Sequence, residues 1–317
     1  MPSYSGVWTL TAVYQAVGAG NWTNDNTIGL FGGGRSSNLN VISKISFATT
    51  GNATSFGDLT VGRYGLAGFA SASRGVWAGG SAATGRNNTI DYVTIASAGN
   101  ATDFGDLNTA TESSSGLSNS TRGVVALGEA PGYSAVMEYV TIASTGNATS
   151  FGDLTQARAY AAGCASPTRG IFAGGYNSAG PPQYNIIDYI TIATTGNATD
   201  FGDLTVARYG LAGFSSSTRG VFGGGAAAGV IQNVIDYITI ASTGNAIDFG
   251  DLSVARYYLS GCSNTTRGVF GGGGTAGPSS SVIDYVTIAS TGNATDFGDL
   301  TLAYDLMAAC SNAGGGI

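Results

Sequence analysis

The tetrapeptide Phe-Gly-Asp-Leu occurs six times in this chain, at nearly constant intervals. The copies begin at Phe56, Phe104, Phe151, Phe201, Phe249 and Phe297. A period of about 48 residues is typical of propellers and solenoids, in which each repeat buries its apolar face against its neighbours. The repeat therefore constrains the fold more than any other feature, and it marks the residues that serve the scaffold.

Each repeat contains four segments with the pattern of short β-strands. In the unit that starts at Arg208 they are residues 209–215, 220–224, 234–241 and 249–254. The third alternates apolar and polar residues, as a half-buried strand does, and a Ser-Thr-Gly-Asn turn follows it. This pattern predicts an all-β fold, a six-bladed β-propeller of four-stranded antiparallel blades. A β-helix is the alternative, but its coils are usually shorter and lack such hairpin turns.

The repeats resemble those of the kelch family. The shared features of the unit are Arg208, Val221-Phe222-Gly223-Gly224, Asp236-Tyr237, and Phe249 followed by Leu252. Every copy has Phe where kelch repeats have Trp, and Asp precedes the Tyr instead of following it. The resemblance covers nearly the whole chain from about residue 27. It implies a kelch-like propeller, a fold that carries both enzymes and binding proteins.

The C-terminal sequence predicts how the ring closes. Residues 300–312 repeat an inner-strand sequence, whereas the first unit begins at Thr27 with the sequence of a second strand. We therefore expect a ring closed by the C-terminal strand, with residues 10–20 as the rival donor. The predicted organisation is an N-terminal arm (1–26), a six-bladed propeller (27–312) and a C-terminal tail (313–317).

The N-terminal arm contains Trp8 and Trp22. It either docks on a partner through these residues or adds an ordinary strand to the first blade. Its start lacks the basic residues and continuous apolar stretch of a signal peptide, so we expect no signal peptide.

Composition argues against several functional classes. The net charge of −7 disfavours nucleic-acid binding, which needs clustered Lys and Arg, and no apolar run is long enough to predict membrane insertion. The chain has no histidine, which removes Ser-His-Asp and Cys-His catalysis and the common zinc and copper sites. We expect no catalytic residue, no cofactor and no metal. A calcium ion at the Asn-Ala-Thr-Asp turns is the alternative, although Ser55 and Ser150 replace that Asp in two repeats.

The three cysteines, Cys164, Cys262 and Cys310, share one position of the repeat. Phe69, Leu117 and Phe214 occupy it in the other repeats. Such a position needs a buried apolar side chain, which a free cysteine provides. The pattern favours buried thiols over a disulfide.

Most charged residues also recur with the repeat: fifteen of the nineteen acidic residues and nine of the eleven arginines. A catalytic site brings different residues together once, whereas a residue that recurs in each blade is explained more simply by structure. We expect these groups to accept hydrogen bonds from turn amides or to form ion pairs between blades.

The loops between the second and third strands differ in every repeat, whereas those between the third and fourth mostly read Thr-Gly-Asn-Ala-Thr. In antiparallel blades the two sets lie on opposite faces. Variable loops on a rigid scaffold are common binding sites, and drift without selection is the alternative. The candidate binding residues in these loops are Arg35, Arg86, Tyr133, Tyr176, Tyr184 and Ile231.

Arrays of Thr-Gly-Asn-Ala-Thr-Asp-Phe-Gly-Asp-Leu also resemble repeats of marine bacteriophage virion proteins, including tail fibres and other structural components. The resemblance implies a non-enzymatic virion structural or adhesion protein, located in the extracellular particle with other virion proteins as partners. The variable loops are expected to bind the host surface or another virion protein. Tyr133, Tyr176 and Tyr184 are the candidates to stack on a host-surface glycan, with packing within the loops as the alternative role. The alternatives are a bacterial extracellular lectin or adhesin and, less favoured, a glycan-processing enzyme.

Overall fold

The computed structural model describes residues 27–36, 38–180 and 182–313, and every regular element within them is a β-strand. Six four-stranded antiparallel sheets form the blades of a six-bladed β-propeller, as predicted. The N-terminal arm, with Trp8 and Trp22, and residues 314–317 lie outside the described residues.

We number the blades in the order of their second strands and count strands outward from the central channel. The inner strands of blades 1 to 6 are Ala308–Ser311, Ala67–Ala70, Ser115–Ser118, Ala162–Ala165, Ala212–Ser215 and Ser260–Ser263. The second strands are Ile28–Gly32, Arg74–Ala78, Arg122–Ala126, Arg169–Ala173, Arg219–Gly223 and Arg267–Gly271. The third strands are Val41–Ser46, Gly85–Thr94, Val136–Thr141, Ile186–Thr191, Val234–Thr239 and Val282–Thr287. The outer strands are Thr54–Asp58, Thr102–Thr111, Thr149–Asp153, Thr199–Asp203, Ile247–Asp251 and Thr295–Asp299.

Six shorter strands lie in the connections. They are Arg63–Tyr64, Ser81–Ala82, Glu129–Ala130, Gly132–Tyr133, Ala226–Ala227 and Val230–Ile231. The inner strand of blade 5 begins at Ala212, later than the predicted residue 209, because Gly210 has a left-handed φ of 65° that interrupts the extended backbone. The outer strand spans Ile247–Asp251 instead of residues 249–254.

The C-terminal strand closes the ring, as predicted. Ala308–Ser311 pairs antiparallel with Ile28–Gly32, with Gly29 opposite Ser311 and Gly32 opposite Ala308. Met307 and Cys310 are buried between the first blade and its neighbours. The two ends of the propeller are therefore joined by a shared sheet.

Each repeated turn is hydrogen-bonded to the outer strand of the preceding blade. The Gly244 N–H of blade 5 donates to the carbonyl of Phe201 (2.8 Å), and the Asn245 side-chain oxygen accepts the Asp203 N–H (3.1 Å). A Cβ on Gly202 would lie 2.5 Å from the Gly244 carbonyl oxygen. This close approach explains the glycine of Phe-Gly-Asp-Leu, and the turn covers the sheet edge of the neighbouring blade.

One repeated set of arginines forms buried ion pairs. The pairs are Arg63–Asp91, Arg158–Asp188, Arg208–Asp236 and Arg256–Asp284, with N···O distances of 2.6 to 2.9 Å. Asp236 also accepts the N–H and the hydroxyl of Thr205, so it satisfies a turn amide as expected. Both partners belong to the same blade, however, and the prediction of ion pairs between blades is wrong for this set. Burial favours neutral arginine and lowers the pKa of Arg208 despite its partner.

A second repeated set of arginines connects neighbouring blades through carbonyl oxygens. Arg219 lies 4.3 Å from the ring centroid of Tyr237 and donates to the carbonyl of Ile288 in the next blade (2.8 Å). The equivalent residues are Arg74, Arg122, Arg169 and Arg267. The connection between blades is therefore a charged hydrogen bond, and the cation–π contact within the blade orients the arginine that makes it.

The three cysteines are free and fully buried, as predicted. They lie in the apolar clusters between blades. Burial disfavours the thiolate and raises the pKa of Cys310 to about 12. These thiols therefore serve as small apolar side chains.

Candidate binding site at the channel mouth

One residue from each blade forms a rim around the central channel. The rim residues, from blade 2 round to blade 1, are Gly65, Ser113, Tyr160, Gly210, Tyr258 and Leu306. All six have left-handed φ values, between 54° and 65°, immediately before the inner strands. Glycine adopts this conformation readily, whereas other residues adopt it at a cost of about 1–2 kcal/mol.

Backbone hydrogen bonds connect the rim in a circle. The N–H of Gly210 donates to the carbonyl of Tyr160 (2.9 Å), that of Tyr258 to Gly210 (2.6 Å) and that of Leu306 to Tyr258 (2.9 Å). The Gly65 N–H then donates to Leu306 (2.7 Å), and the Ser114 N–H to Gly65 (3.2 Å). The Tyr160 N–H completes the circle by donating to Ser113 (3.0 Å). This circle fixes the rim as one rigid unit.

The rim lies on the face that carries the variable loops. Tyr209, next to the rim in blade 5, pairs with Ala226 at the start of a variable loop, and the same arrangement joins Tyr257 to Gly274 in blade 6. The rim and the first residues of the inner strands line a cavity of about 90 Å³ that opens at the rim. The cavity is therefore accessible from the variable-loop face.

Six tyrosines form a continuous cluster over blades 3 to 6, which we call the tyrosine cluster. Its members are Tyr133, Tyr160, Tyr176, Tyr209, Tyr257 and Tyr258, all half-buried. Neighbouring ring centroids are separated by 4.4 to 6.1 Å, mostly in tilted or edge-to-face contacts. Such contacts orient the rings and leave part of each ring in contact with solvent.

Three tyrosine hydroxyls of the cluster, those of Tyr160, Tyr209 and Tyr258, remain protonated at physiological pH. Burial raises the pKa of Tyr160, Tyr209 and Tyr258 above that of ordinary tyrosine. The negative charges of Glu129 and Glu112 act on Tyr160 in the same direction. These hydroxyls can donate and accept hydrogen bonds, but they are not phenolate bases or nucleophiles.

Two ion-pair groups lie on the remaining part of the mouth, and we call them the charged arc. Arg35 binds Asp305 through two hydrogen bonds of 3.0 Å, and its Cζ lies 5.7 Å from the ring centroid of Tyr258. Partial burial acts to lower the pKa of Arg35, but Asp305 outweighs it and raises that pKa, so Arg35 stays a cation.

The second group of the charged arc joins blades 2 and 3. Arg86 contacts Glu112 at 3.1 Å and Glu129 at 3.7 Å. Apart from Lys44, the five residues of the charged arc are the charged residues of the described chain that do not recur with the repeat. The sequence distributes them over 271 positions, from 35 to 305, and the fold brings them to one face.

The structure brings four of the predicted site residues to this mouth and places two elsewhere. Arg35 and Arg86 belong to the charged arc, and Tyr133 and Tyr176 contact each other in the tyrosine cluster. Tyr184 is only 8% exposed, so it has little surface to offer a ligand. Ile231 is half-buried in the short loop strand Val230–Ile231.

Variability of the loops does not predict the mouth residues that lie just before the inner strands. They are Glu112, Tyr160, Tyr209, Tyr257, Tyr258 and Asp305. One sequence signal was available: Tyr160, Tyr258 and Leu306 occupy the repeat position that is glycine at Gly65 and Gly210. A bulky residue at a position suited to glycine indicates a use for its side chain.

No family model matches this chain, and no curated protein matches it either. Across residues 27–36, 38–180 and 182–313, no group of three or more His, Cys, Asp or Glu side chains is placed to hold a metal ion. The same residues include no helix long and apolar enough to cross a membrane.

Proposed function

We propose that this chain is a non-enzymatic binding protein whose propeller presents the variable-loop face to a host-surface glycan. One observation carries the proposal: nearly all the non-repeated charged residues of the described chain, and most of its tyrosines outside the repeated Asp-Tyr and Glu-Tyr dipeptides, converge on the channel mouth. The repeated charges are used within and between blades. A repeated scaffold with one surface that differs from repeat to repeat is the arrangement expected of a binding protein.

The chemistry of the mouth suits recognition of a sugar. Half-buried tyrosine rings provide apolar faces for the C–H faces of a pyranose, and their hydroxyls provide hydrogen bonds. Glycoside hydrolysis requires a free carboxylic acid and a second carboxylate beside the scissile bond. Asp305, Glu112 and Glu129 are instead each paired with an arginine. These contacts favour binding over turnover.

We further propose that the protein is a component of a bacteriophage virion, built on kelch-like repeats. The resemblance of its repeats to those of virion proteins supports this role. Thr27, which follows the N-terminal arm, lies on the repeated-turn face, where its carbonyl accepts the Phe47 N–H at 3.1 Å. An arm anchored in a particle from this side would leave the tyrosine cluster facing outward.

Glycan-array binding by the purified protein tests the binding role. We expect selective binding that weakens at least about tenfold in Tyr176→Ala, because this ring joins Tyr133 to Tyr209. Val254→Ala, at an exposed position outside the tyrosine cluster, is the matched control and keeps full binding. Absence of binding to every glycan, or turnover of any polysaccharide, contradicts the proposal.

Mass spectrometry of purified phage particles tests the virion role separately. We expect this chain among the particle proteins, at a constant ratio to the capsid protein. If the protein binds glycans but is absent from particles, the bacterial lectin or adhesin is the better explanation.

A further inference from the structure

We infer that the glycan site is the channel mouth itself, and that its ligand is an uncharged saccharide whose terminal ring stacks on Tyr160 and Tyr258. This inference rests on the proposed binding function. It adds the location of the site, the residues that form its wall and the chemical class of the sugar.

All four non-glycine rim residues carry backbone strain, and Tyr160 and Tyr258 are the aromatic ones among them. The φ values of these two are 58° and 56°, the conformation that Gly65 and Gly210 supply without strain at the same rim position. Two of the six blades therefore show that glycine meets the structural requirement. Strained non-glycine residues persist where their side chains have a use, most often in binding sites.

The two rings form one continuous wall of the mouth. They belong to blades 4 and 6 and meet across blade 5, with centroids 5.1 Å apart. The intervening Gly210 is required for this contact, because a Cβ there would lie 2.7 Å from the Tyr258 ring. The opposite side of the rim has Gly65 and Leu306, so the aromatic wall is on one side only.

Polar groups complete the cavity on its other sides. Ser114, Ser115 and Ser260 line it together with inner-strand backbone, and Arg35 lies beside the Tyr258 ring. One aromatic wall with surrounding hydroxyl and amide groups matches a sugar ring, which has an apolar face and a hydroxyl-bearing edge.

Charge at the mouth selects against acidic sugars. The charged arc contains two arginines and three carboxylates, all five in ion pairs, so it has no unpaired cation for an anionic sugar. The chain as a whole carries a net charge of −7, which repels polyanions. The protonated tyrosine hydroxyls add no charge. An uncharged saccharide is therefore the ligand class that the mouth accepts.

The test compares the wild-type protein with rim variants, using isothermal titration calorimetry. The probes are neutral hexasaccharides of glucose, mannose and N-acetylglucosamine, with an alginate hexasaccharide as the acidic probe. We expect at least one neutral probe to bind, and Tyr160→Gly and Tyr258→Gly each to raise its Kd about tenfold or more. Tyr160→Phe and Tyr258→Phe retain the ring and should stay within about threefold of the wild type.

The matched control is Ala228→Gly, which also replaces a residue of left-handed φ with glycine. Ala228 lies in a loop of blade 5, outside the cavity. It should leave Kd unchanged. Melting temperatures should stay within about 2–4 °C of the wild type in both tyrosine-to-glycine variants, because relief of strain offsets lost packing. If these variants fail to fold, the near-UV absorption of the wild-type tyrosines is compared with and without the bound probe. A spectrum that the probe leaves unchanged overturns the inference.

The outcomes separate this inference from the proposed function. Neutral-sugar binding that persists in both tyrosine-to-glycine variants, or wild-type binding of the alginate probe alone, overturns the inference and leaves the binding function standing. A wild-type protein that binds no glycan on the array overturns both.

Discussion

At the scale of single residues, the same amino acid has different roles according to whether it recurs. Tyr237 recurs and is covered by the guanidinium of Arg219, whereas Tyr176, in a variable loop, lies in the tyrosine cluster with Tyr209. One repeated position is unusual: Glu138 of blade 3 replaces the buried Asp, and Thr111 replaces its arginine. Glu138 is 2% exposed and accepts the Asn108 N–H at 2.9 Å. Burial raises the pKa of this carboxyl.

Replacing Glu138 with glutamine should stabilise the protein at neutral pH. The folded chain holds the Glu138 proton more tightly than the unfolded chain, so this residue costs stability as pH rises above its ordinary pKa of 4.5. Glu138→Gln removes that cost. Thermal unfolding between pH 4 and pH 8 should give a higher Tm for the variant at pH 7 and a gap that closes towards pH 4.

Asp188→Asn is the matched control, because Asp188 occupies the same repeat position with its arginine present. It leaves Arg158 buried without a charged partner, which should cost about 3–5 kcal/mol of unfolding free energy at pH 7. Equal effects of the two substitutions would contradict the roles assigned to the two carboxylates.

At the scale of elements, the contact between outer strand and repeated turn explains why Phe-Gly-Asp-Leu is the strongest part of the repeat. The Phe side chain is buried, the Gly permits the neighbouring turn to approach, and the Asp N–H is accepted by the turn asparagine. The three positions depend on one another, because each fixes the distance between adjacent blades.

Gly202→Ala should disrupt this contact. The new Cβ would meet the Gly244 carbonyl at 2.5 Å, and the φ of 147° is unfavourable for alanine. We expect a loss of about 2–4 kcal/mol in a chemical denaturation experiment. Gly132→Ala is the control, since nothing lies within 4 Å of its Cβ and its expected effect is within about 0.5 kcal/mol. Similar stabilities of the two variants would show that the contact between strand and turn contributes little.

At the scale of the whole molecule, stability depends on closure. The inner strand of blade 1 comes from the C-terminal end of the propeller, and Leu306 completes the circle of rim hydrogen bonds. Leu306, Met307 and Cys310 are buried by this closure, and each larger side chain contributes about 1.5–3 kcal/mol. Together they approach the roughly 5–15 kcal/mol by which a domain is stable.

A chain truncated after Leu300 should therefore unfold or aggregate, because it also exposes the edge of the second strand of blade 1. A chain that ends at Ala313 keeps the closing strand and should melt like the full chain. Size-exclusion chromatography and thermal unfolding distinguish them. A soluble, monomeric truncation with an unchanged Tm would refute closure by this strand.

The blades could be predicted from the sequence, but much of the channel mouth could not. Regular spacing and alternation predicted six sheets, and the copy of an inner strand at residues 300–312 predicted the closing partner. Loop variability led to Arg35, Arg86, Tyr133 and Tyr176. The contact between Tyr160 and Tyr258 could not be predicted, because it joins two blades that a third blade separates and depends on a left-handed backbone at the rim.

The buried ion pairs were predicted between blades and lie within blades for a related reason. Asp236 lies opposite Phe222 in the sheet, and the loop before the inner strand folds back so that Arg208 reaches Asp236.

The central claim is that the residues that recur with the repeat stabilise the ring, whereas the residues that do not recur form the binding surface. Parallel measurement of Tm and neutral-saccharide affinity for Tyr176→Ala and Tyr189→Ala tests it, since both tyrosines are half-buried in blade 4 and only Tyr189 recurs with the repeat. We predict that Tyr176→Ala weakens binding about tenfold with little change in Tm, whereas Tyr189→Ala lowers Tm and the folded protein keeps its affinity. The reverse pattern, or equal effects of the two substitutions on affinity, would contradict the claim.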